Sequence, residues 1–308
     1  MNAIVTVTMN PAVDKSAAVE HVERDTKLRC DSVRRDPGGG GINVARAVSR
    51  LGGLSVALYL SGGPMGAYLD RLLTDEGIEH RGLETAGETR ENLTVTERSS
   101  GGQFRFGMPG PSVTETECQA VLDAVRASVP SGGYVIGSGS LPPGAPDDFY
   151  ATLAAVVKGA EASFIVDTTG SALAQAIAEG VFLTKPNIDE LSAMSGGRDM
   201  EDPEIRKAAF DIISSGNADH VVVSLGAGGA LYVSEAGARQ LAAPTVPIRS
   251  RIGAGDSMVG GIVHGLSEGR SMLDAVKLGV AAGAAAVMTD GTELCRGEDV
   301  KRLFDEME

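Results

Sequence analysis

A short run of small residues, Gly253-Ala254-Gly255-Asp256-Ser257, carries the most specific chemistry in the sequence. It follows a predicted strand at 246–249 and opens a predicted helix. Small residues let the backbone approach a ligand closely, and the amides at a helix N-terminus favour a negatively charged group. Asp256 could there accept a proton from an attacking hydroxyl. It could equally complement the helix dipole while Gly253 and Gly255 shape a turn, and the spacing alone leaves both interpretations open.

A second glycine-rich segment, Pro37-Gly38-Gly39-Gly40-Gly41-Ile42-Asn43, precedes a helix that is predicted from about Ile42. Four consecutive glycines exceed what a turn needs, which favours backbone contact with a substrate. The side chain of Asn43 would then hydrogen-bond that substrate. The alternative is a flexible turn in which Asn43 caps the helix.

A third segment, Lys185-Pro186-Asn187-Ile188-Asp189-Glu190-Leu191, lies where a predicted strand leads into a helix. Asn187 can cap that helix, and Glu190, three residues later, completes something like a capping box. A structural role is therefore a strong explanation. The functional alternative is that Asn187 and Glu190 help to place hydrated Mg²⁺ near phosphates.

A fourth segment, Ser224 to Gly229, lies between two predicted strands and by itself indicates a hairpin turn. It lacks the GxGxxG-plus-helix arrangement of a dinucleotide site, and the sequence contains no GxxxxGK[ST] motif, so a Rossmann dehydrogenase and a P-loop kinase are both rejected. The four histidines have no metal-ligand spacing. No GxSxG motif supports hydrolysis by a serine nucleophile.

The composition narrows the class of partner. The chain has 308 residues, 41 of them glycine, a net charge of −14 and a pI of about 4.8. Without a sizeable basic run, nucleic acid is an unexpected partner. No apolar run is long enough to span a membrane, and the N-terminus predicts a strand rather than a signal peptide, so we expect a cytoplasmic protein with no membrane partner. Three scattered cysteines suggest neither disulfides nor a metal site.

The elements that would position these segments follow from apolar periodicity. The predicted strands are 3–8, 12–22, 27–36, 55–60, a hairpin over 91–107, 134–137, 163–167, 181–184, 220–225, 229–234 and 246–249. The first predicted helix begins at about 42. The other predicted helices cover 65–76, 114–128, 147–158, 171–179, 188–195, 203–215, 255–268, 271–288 and 298–306. Alternating strands and helices predict one α/β domain over 1–308 with a mainly parallel central sheet. The early hairpins, at about 12–36 and 90–108, predict a small β-sheet lid.

Taken in order, these segments resemble the PfkB, or ribokinase-like, carbohydrate kinases, and the resemblance runs from end to end. GAGDSMVGG, after KPNIDEL and VSLGAGGAL, is its most specific part. Other matching stretches are LRC at 28–30, PGGGGINVARA at 37–47, SGSLPPG at 138–144, RKAA at 206–209 and GVAAGAAA at 279–286. Within the family they look most like the members that phosphorylate fructose 6-phosphate to fructose 1,6-bisphosphate with ATP. Members acting on fructose 1-phosphate or tagatose 6-phosphate share the opening TVTMNPAVD style, but typically have GGKG at positions 38–41.

The resemblance implies a role for each matching residue. Asp256 would be the catalytic base, with Gly253, Ala254 and Gly255 as the anion hole. The residues implied at the sugar phosphate are Asp14, Lys27, Gly39, Gly40, Asn43, Arg90, Ser138 and Gly139. Those implied at ATP are Lys185, Asn187, Ser224, Gly226, Gly228, Gly229, Val280 and Ala284, with Glu190 on the Mg²⁺ side. Backbone groups around Ser250, Ile252, Ala286, Thr289 and Gly291 resemble the family's potassium site, although Glu293 stands where relatives tend to have a basic residue.

We therefore expect a sugar-phosphate kinase that uses ATP, Mg²⁺ and K⁺. The alternatives are a kinase for fructose 1-phosphate, tagatose 6-phosphate or a nucleoside, and a sugar-phosphate sensor that kept the fold without catalysis. An intact Asp256 in an intact glycine turn argues against the sensor. Exposed strand edges on the lid invite pairing with another lid, and the family commonly dimerises in this way, so a homodimer is expected.

Overall fold

The computed structural model describes residues 3–197 and 200–307. The strands are β1 (Ile4–Thr8), β2 (Ala12–Val19), β3 (Asp31–Gly38), β4 (Val56–Ser61), β5 (Glu79–Glu84), β6 (Arg90–Glu97), β7 (Gln103–Phe106), β8 (Tyr134–Ser138), β9 (Ser163–Asp167), β10 (Val181–Thr184), β11 (Ala218–Ser224), β12 (Ala230–Ser234) and β13 (Gly237–Leu241). The α-helices are α1 (Gly40–Arg50), α2 (Gly63–Asp75), α3 (Glu115–Ser128), α4 (Phe149–Gly159), α5 (Gly170–Glu179), α6 (Ile188–Met194), α7 (Asp202–Ser214), α8 (Ala254–Ser267), α9 (Met272–Val287) and α10 (Gly297–Glu306).

The larger sheet runs in the order β13-β12-β11-β10-β9-β8-β1-β4-β5. Every pair from β11 to β5 is parallel, whereas β12 and β13 are added in antiparallel orientation. In the register of the centre, Val5 lies between Val56 and Val135. All five residues of β1 are buried, as expected for a parallel strand that helices cover on both faces. The predicted ribokinase-like α/β fold is thereby confirmed.

Two apolar layers hold the helices on this sheet. One face is covered by α3, α4, α5 and α7, whose core residues include Val121, Leu153 and Leu173. The other face is covered by α1, α8 and α9, which contribute Val44 and Val259 among others. Removing this apolar surface from water is the main force that fixes the helices, and with them the loops that join them to the strands.

The smaller sheet has the order β3-β2-β6-β7. Strand β2 pairs with β3 in antiparallel and with β6 in parallel orientation, so the central pairing joins segments about 80 positions apart in the chain. The predicted lid segments, 12–36 and 90–108, contain most of this sheet, although β3 continues to Gly38. A separate small β-sheet is thus confirmed, while its closing movement and the single-domain assignment stay predictions.

Two parts of the predicted secondary structure are wrong. Residues 246–249 form no strand: Pro244 and Pro247 interrupt this stretch, and proline cannot donate to a strand ladder. The last strand is instead β13, and β5 was also missed. Both are polar edge strands of the larger sheet, EHRGLE and GARQL, which carry no apolar alternation for a sequence pattern to show. Helix α1 begins at Gly40, two residues before its predicted start.

The carboxyl ends of four neighbouring strands place the functional segments together. Strands β1, β8, β9 and β10 end at Thr8, Ser138, Asp167 and Thr184. The chain order reverses between β1 and β8, because β4 continues the sheet on one side and β9 on the other. Ligands of open α/β sheets bind outside the carboxyl ends of the strands at such a point. Among the described residues no helix is long and apolar enough to cross a membrane.

Candidate active site

The N-terminus of α8 presents Asp256 in a fixed position. Gly253 precedes the helix with φ 75°, and a Cβ there would lie 2.3 Å from the Leu294 side chain, so the turn requires glycine. Asp256 follows in the first helical turn and stays partly exposed. The Nδ2 of Asn43, on α1, donates to Oδ2 of Asp256 over 2.9 Å. Two segments that are 213 positions apart in the chain therefore meet at one carboxylate.

The surroundings of Asp256 suit a proton acceptor. Burial of the carboxylate, and then the negative charge of Asp167, raise its pKa to about 6, while Asn43 and Lys185 oppose the shift. An aspartate with this pKa is ionised at neutral pH, yet it binds a proton more readily than an exposed one. That balance is what general-base catalysis near pH 7 requires.

A buried cation lies beside the start of α8. Lys185 is 5% exposed, and its Nζ is 3.3 Å from Oδ1 of Asp167. A Cβ built on Gly255 would be 3.4 Å from that Nζ, so the ammonium reaches the helix terminus. Burial alone would lower the pKa of Lys185, but the charges of Asp167 and Glu190 outweigh it and raise the pKa above its ordinary value. Lys185 thus stays charged where an anion would meet α8.

The glycines before α1 are packed against the end of β8. A Cβ on Gly40 would lie 2.3 Å from Oγ of Ser138 and 2.7 Å from the Gly139 nitrogen, so a side chain at this position would collide with that strand end. Gly39 is the residue that precedes the helix, with φ 113°. The backbone of this segment, rather than its side chains, is therefore what faces Ser138 and Gly139.

Polar side chains from the small sheet lie at its base. Asp14 accepts a 2.8 Å hydrogen bond from Nδ2 of Asn92, and burial raises its pKa. Arg90 donates to the carbonyl oxygens of Pro11, Met108 and Asn10 over 3.4, 2.8 and 2.9 Å. These bonds use three of the five N–H donors of the guanidinium, so the Arg90 side chain is fixed in place. The two remaining N–H donors can bind an anion.

The segment at the end of β10 adopts the predicted capping box. Asn187 Oδ1 accepts from the Glu190 amide over 2.8 Å, and the Asn187 amide donates to Oε2 of Glu190 over 2.9 Å. The structural explanation of these two residues therefore holds, and it leaves open a second role for Glu190. Burial, and then Asp167, raise the pKa of Glu190.

The turn from Ser224 to Gly229 lies next to this capping box. Asn187 forms a parallel bridge to Ser224, whose amide donates to the Pro186 carbonyl over 2.9 Å. Gly226–Gly228 form a single 3₁₀ turn and are exposed, which leaves their backbone open to a ligand. The third and fourth sequence segments are thus neighbours in space.

The five residues predicted at a potassium site belong to two segments in contact. The amide of Ser250 donates to the Val287 carbonyl over 3.3 Å, and the single hydroxyl hydrogen of Thr289 is shared between the carbonyl oxygens of Ala286 and Leu294, which lie 2.8 and 2.9 Å away. Ser250, Ile252, Ala286 and Thr289 are buried, and Gly291 is partly buried. The Glu293 side chain contacts Arg296 and Arg34 instead of this group. The two segments are therefore held together by hydrogen bonds to the carbonyl oxygens of Val287, Ala286 and Leu294, and the potassium site stays a prediction.

Three predicted ligand residues are not brought to this cluster by any contact within the described chain. Lys27 lies in the exposed loop that joins β2 to β3, whereas Asp14 lies near the opposite end of β2. Val280 and Ala284 are buried in α9 and belong to apolar clusters. The roles implied for these three residues stay predictions.

Two residues of the site were not predicted from the sequence. Asp167 ends β9 and pairs with Lys185, and Asn92 donates to Asp14. A polar residue at the carboxyl end of a buried strand was the available signal for Asp167. Nothing in the local pattern marks Asn92, because its role depends on the parallel pairing of β6 with β2.

Comparison with known proteins agrees with this geometry. Residues 2–298 match the model of the pfkB family of carbohydrate kinases. ATP-dependent 6-phosphofructokinase isozyme 2 of Mycobacterium tuberculosis is 44% identical over 302 residues, which cover 98% of this chain and 89% of the relative. Isozyme 2 of Escherichia coli is 40% identical over 305 residues, covering 99% and 98% of the two chains.

Solved structures give the same result. The crystal structure of phosphofructokinase-2 from Escherichia coli in complex with potassium superposes with a TM-score of 0.95, at 40% identity and 99% coverage of both chains. A tetrameric inhibited form of the same bacterial protein has a TM-score of 0.94 at 39% identity, again with 99% coverage of each chain.

Proposed function

This chain belongs to the pfkB family of carbohydrate kinases, and we propose that it phosphorylates fructose 6-phosphate with ATP to give fructose 1,6-bisphosphate. The observation that carries the proposal is the partly exposed Asp256, which is hydrogen-bonded to Asn43 and lies beside Lys185 at the N-terminus of α8. A proton acceptor and a phosphate-binding terminus occur there in one helical turn. Phosphoryl transfer needs positioning and charge neutralisation more than covalent chemistry.

Asp256 accepts the proton of the sugar 1-hydroxyl as that oxygen attacks the terminal phosphorus of ATP. The amides of Gly253, Ala254 and Gly255 face the charge that develops on the transferred phosphoryl group, and the dipole of α8 adds to them. Lys185 neutralises phosphate charge from the other side of the turn. The bond from phosphorus to the bridging oxygen breaks as the new one forms, and ADP leaves.

The sugar phosphate enters beneath the small sheet. Asp14 and Asn43 bind ring hydroxyls, and Gly39, Gly40, Ser138 and Gly139 surround the sugar with backbone groups. Arg90 binds the 6-phosphate with the donors that its three carbonyl contacts leave over. Lys27, in the loop at the far end of the same sheet, would add its charge to that phosphate only after a movement of the lid. Closure of the small sheet as a lid excludes water, the competing acceptor.

The nucleotide lies along the ends of β10 and β11. Lys185, Asn187, Val280, Ala284 and the turn from Ser224 to Gly229 form its side of the cleft. Mg²⁺, when bound with ATP, supplies neutralising charge on the phosphates. Glu190 fits that ion, because its carboxylate is partly buried beside Asp167 and Mg²⁺ usually takes only one or two protein carboxylates. The oxygens around Ser250, Ile252, Ala286, Thr289 and Gly291 fit K⁺.

Fructose 6-phosphate is preferred to related substrates on two grounds. The relatives at 44% and 40% identity carry that activity in their names. Gly40 packs so closely against Ser138 that a longer residue would displace the strand end. Family members that act on fructose 1-phosphate or tagatose 6-phosphate typically have lysine at this position. Fructose 1-phosphate and tagatose 6-phosphate are the alternative substrates.

An ADP-release assay tests the proposal against the alternative of a non-catalytic sensor. Purified protein is incubated with MgATP, with and without fructose 6-phosphate, and Asp256→Asn is run in parallel. We expect ADP release that depends on the sugar phosphate and is lost in the variant. Binding of the sugar phosphate without ADP release would overturn the kinase assignment and leave the sensor.

The small sheet also supports a proposal for assembly. Its outer strands β3 and β7 are edges, and they expose Val33, Phe104 and Phe106 at 51%, 41% and 49%. Exposed edges with apolar side chains favour pairing with a second copy, so a homodimer through the lid is proposed.

A cytoplasmic location stays a prediction from the sequence.

A further inference from the structure

The guanidinium of Arg46 is buried behind the proposed catalytic base. Arg46 is 1% exposed and lies on α1, one turn after Asn43. Its Nε and Nη2 donate to the two carboxylate oxygens of Glu76 over 2.8 and 2.7 Å. Its Nη1 lies 3.0 and 3.2 Å from the carbonyl oxygens of Pro37 and Thr292 and 3.4 Å from Oδ1 of Asn43, so its two hydrogens are shared among three acceptors.

These contacts determine which way the Asn43 amide faces. An arginine side chain offers only donors, so the amide oxygen of Asn43 must face it. The NH₂ group then faces Asp256, where it donates to Oδ2. The opposite orientation would place an oxygen against a carboxylate and an NH₂ group against a guanidinium, and both contacts are repulsive.

We propose that Arg46 is a positioning residue for the phosphoryl transfer, which fixes the Asn43 amide so that it holds the Asp256 carboxylate toward the sugar hydroxyl. The proposal rests on the kinase function proposed above. Arg46 also fixes the end of β3 through Pro37 and the 289–294 segment through Thr292, so the base, the root of the lid and the predicted cation segment share one buried group.

The proposal has a consequence for pH dependence. Burial, and then Asp167 and Asp14, raise the pKa of Asp256, whereas the Asn43 hydrogen bond and Lys185 lower it. If Arg46 no longer fixes the amide, the hydrogen bond to Asp256 weakens and the pKa of the base rises. A rise of that pKa moves the acid limb of kcat/KM to higher pH, which a purely structural role of Arg46 would not do.

Arg46→Lys tests this directly, because lysine keeps the charge but lacks the planar fork that reaches all of these acceptors. We expect kcat to fall by about 10- to 100-fold, the range expected for a misplaced catalytic group, and the acid limb to move upward. The matched control is Arg50→Lys on the same helix, since Arg50 is exposed and its Nη2 lies 3.9 Å from the same Glu76. The control should leave both quantities unchanged.

A double-mutant cycle separates positioning from general destabilisation. In an Asp256→Asn background, Arg46→Lys should reduce kcat by no more than about twofold, because its effect acts through Asp256. The inference would be overturned if a folded Arg46→Lys protein kept the wild-type acid limb of kcat/KM. It would also be overturned if Arg46→Lys reduced kcat as much in the Asp256→Asn protein as in the wild type. If Arg46→Lys does not fold, the same test is made with Glu76→Ala, which removes the carboxylate that holds the Arg46 guanidinium. The acid limb of kcat/KM must then move to higher pH, and an unchanged limb would overturn the inference. Absence of kinase activity in the wild type would instead refute the proposed function.

Discussion

The pKa of Asp256 reflects a balance between burial and three neighbouring residues. Burial and Asp167 disfavour its charge, while the Asn43 amide and Lys185 favour it, and the outcome is a pKa of about 6. An exposed aspartate would be a weaker base, and one that is buried without Asn43 and Lys185 would have a still higher pKa. The three neighbours come from separate parts of the chain.

Replacing the carboxylate tests the role of Asp256. Asp256→Asn keeps the shape and removes the proton acceptor, so kcat should fall by about 10²–10⁴-fold with little change in ATP affinity. Asp274→Asn, an exposed aspartate in the first turn of α9, is the matched control. Near-native kcat in a folded Asp256→Asn protein would remove the general-base assignment.

The charge of Asp167 makes a second prediction with a defined sign. Asp256 must be ionised to accept a proton, so kcat/KM should fall as the pH drops through about 6. Asp167→Asn removes a charge that raises this pKa, and it frees Lys185 to stabilise the ionised base. The midpoint should therefore move to lower pH.

The measurement is kcat/KM for the sugar phosphate between pH 5 and 8. Asp123→Asn, an exposed change on α3, should leave the midpoint where it is. An unchanged or higher midpoint in Asp167→Asn would contradict the electrostatic account.

At the scale of elements, no strand leads into α8. The irregular stretch before the helix is held by the end of α9 instead. The stretch before Gly253 has no regular structure, and hydrogen bonds from Arg249 and Ser250 to Val287 attach it to the end of α9. The amides that we propose bind the phosphate charge are therefore only as rigid as this junction. A cation bound among its carbonyls would hold them in place.

The corresponding prediction concerns monovalent ions. Activity should be higher in K⁺ than in Na⁺ at matched ionic strength, since the larger ion suits the carbonyl and hydroxyl oxygens that the proposed site would supply. The assay is the initial rate with each chloride salt at fixed Mg²⁺. Equal rates in the two salts would remove the potassium site, whereas the Mg²⁺ requirement would be unaffected.

The elements differ in how far their sequence predicts them. Central strands such as β1 and β9 are short, buried runs rich in Val and Ile, so their existence could be predicted. The alignment of their polar ends, including Asp167, was not predicted. Strands β5 and β13 could not, since an edge strand is held by backbone bonds that any polar residue can make. The contacts of Asn92 and Arg46 also escape a local pattern, because their partners are fixed by pairing and packing of distant segments.

At the scale of the whole molecule, an acidic chain concentrates cations where phosphates would bind. The net charge is −14, yet Lys185 is buried and Arg90 is partly buried where the phosphates are proposed to bind. Burial makes such charges stronger partners for a dianion than surface lysines are. The rest of the acidic surface promotes solubility.

The exposed edges of the small sheet make a prediction about assembly. Phe104→Ser with Phe106→Ser removes apolar surface from β7 and should shift the protein from dimer to monomer in light scattering coupled to size exclusion. Phe210→Ser is the control, because Phe210 is 45% exposed on α7, away from the lid. A double variant that keeps the mass of the wild type would show that another surface forms the assembly.

The central claim is that a phosphorylated fructose is the acceptor and that its 1-hydroxyl meets Asp256. The direct measurement is kcat/KM for fructose 6-phosphate, fructose 1-phosphate, tagatose 6-phosphate and free fructose, side by side with saturating MgATP. Fructose 6-phosphate should be the best substrate, tagatose 6-phosphate the next, and free fructose far poorer because it lacks the anchor for Arg90. A preference of tenfold or more for fructose 1-phosphate or tagatose 6-phosphate, about 1.4 kcal/mol in the transition state, would contradict the substrate assignment.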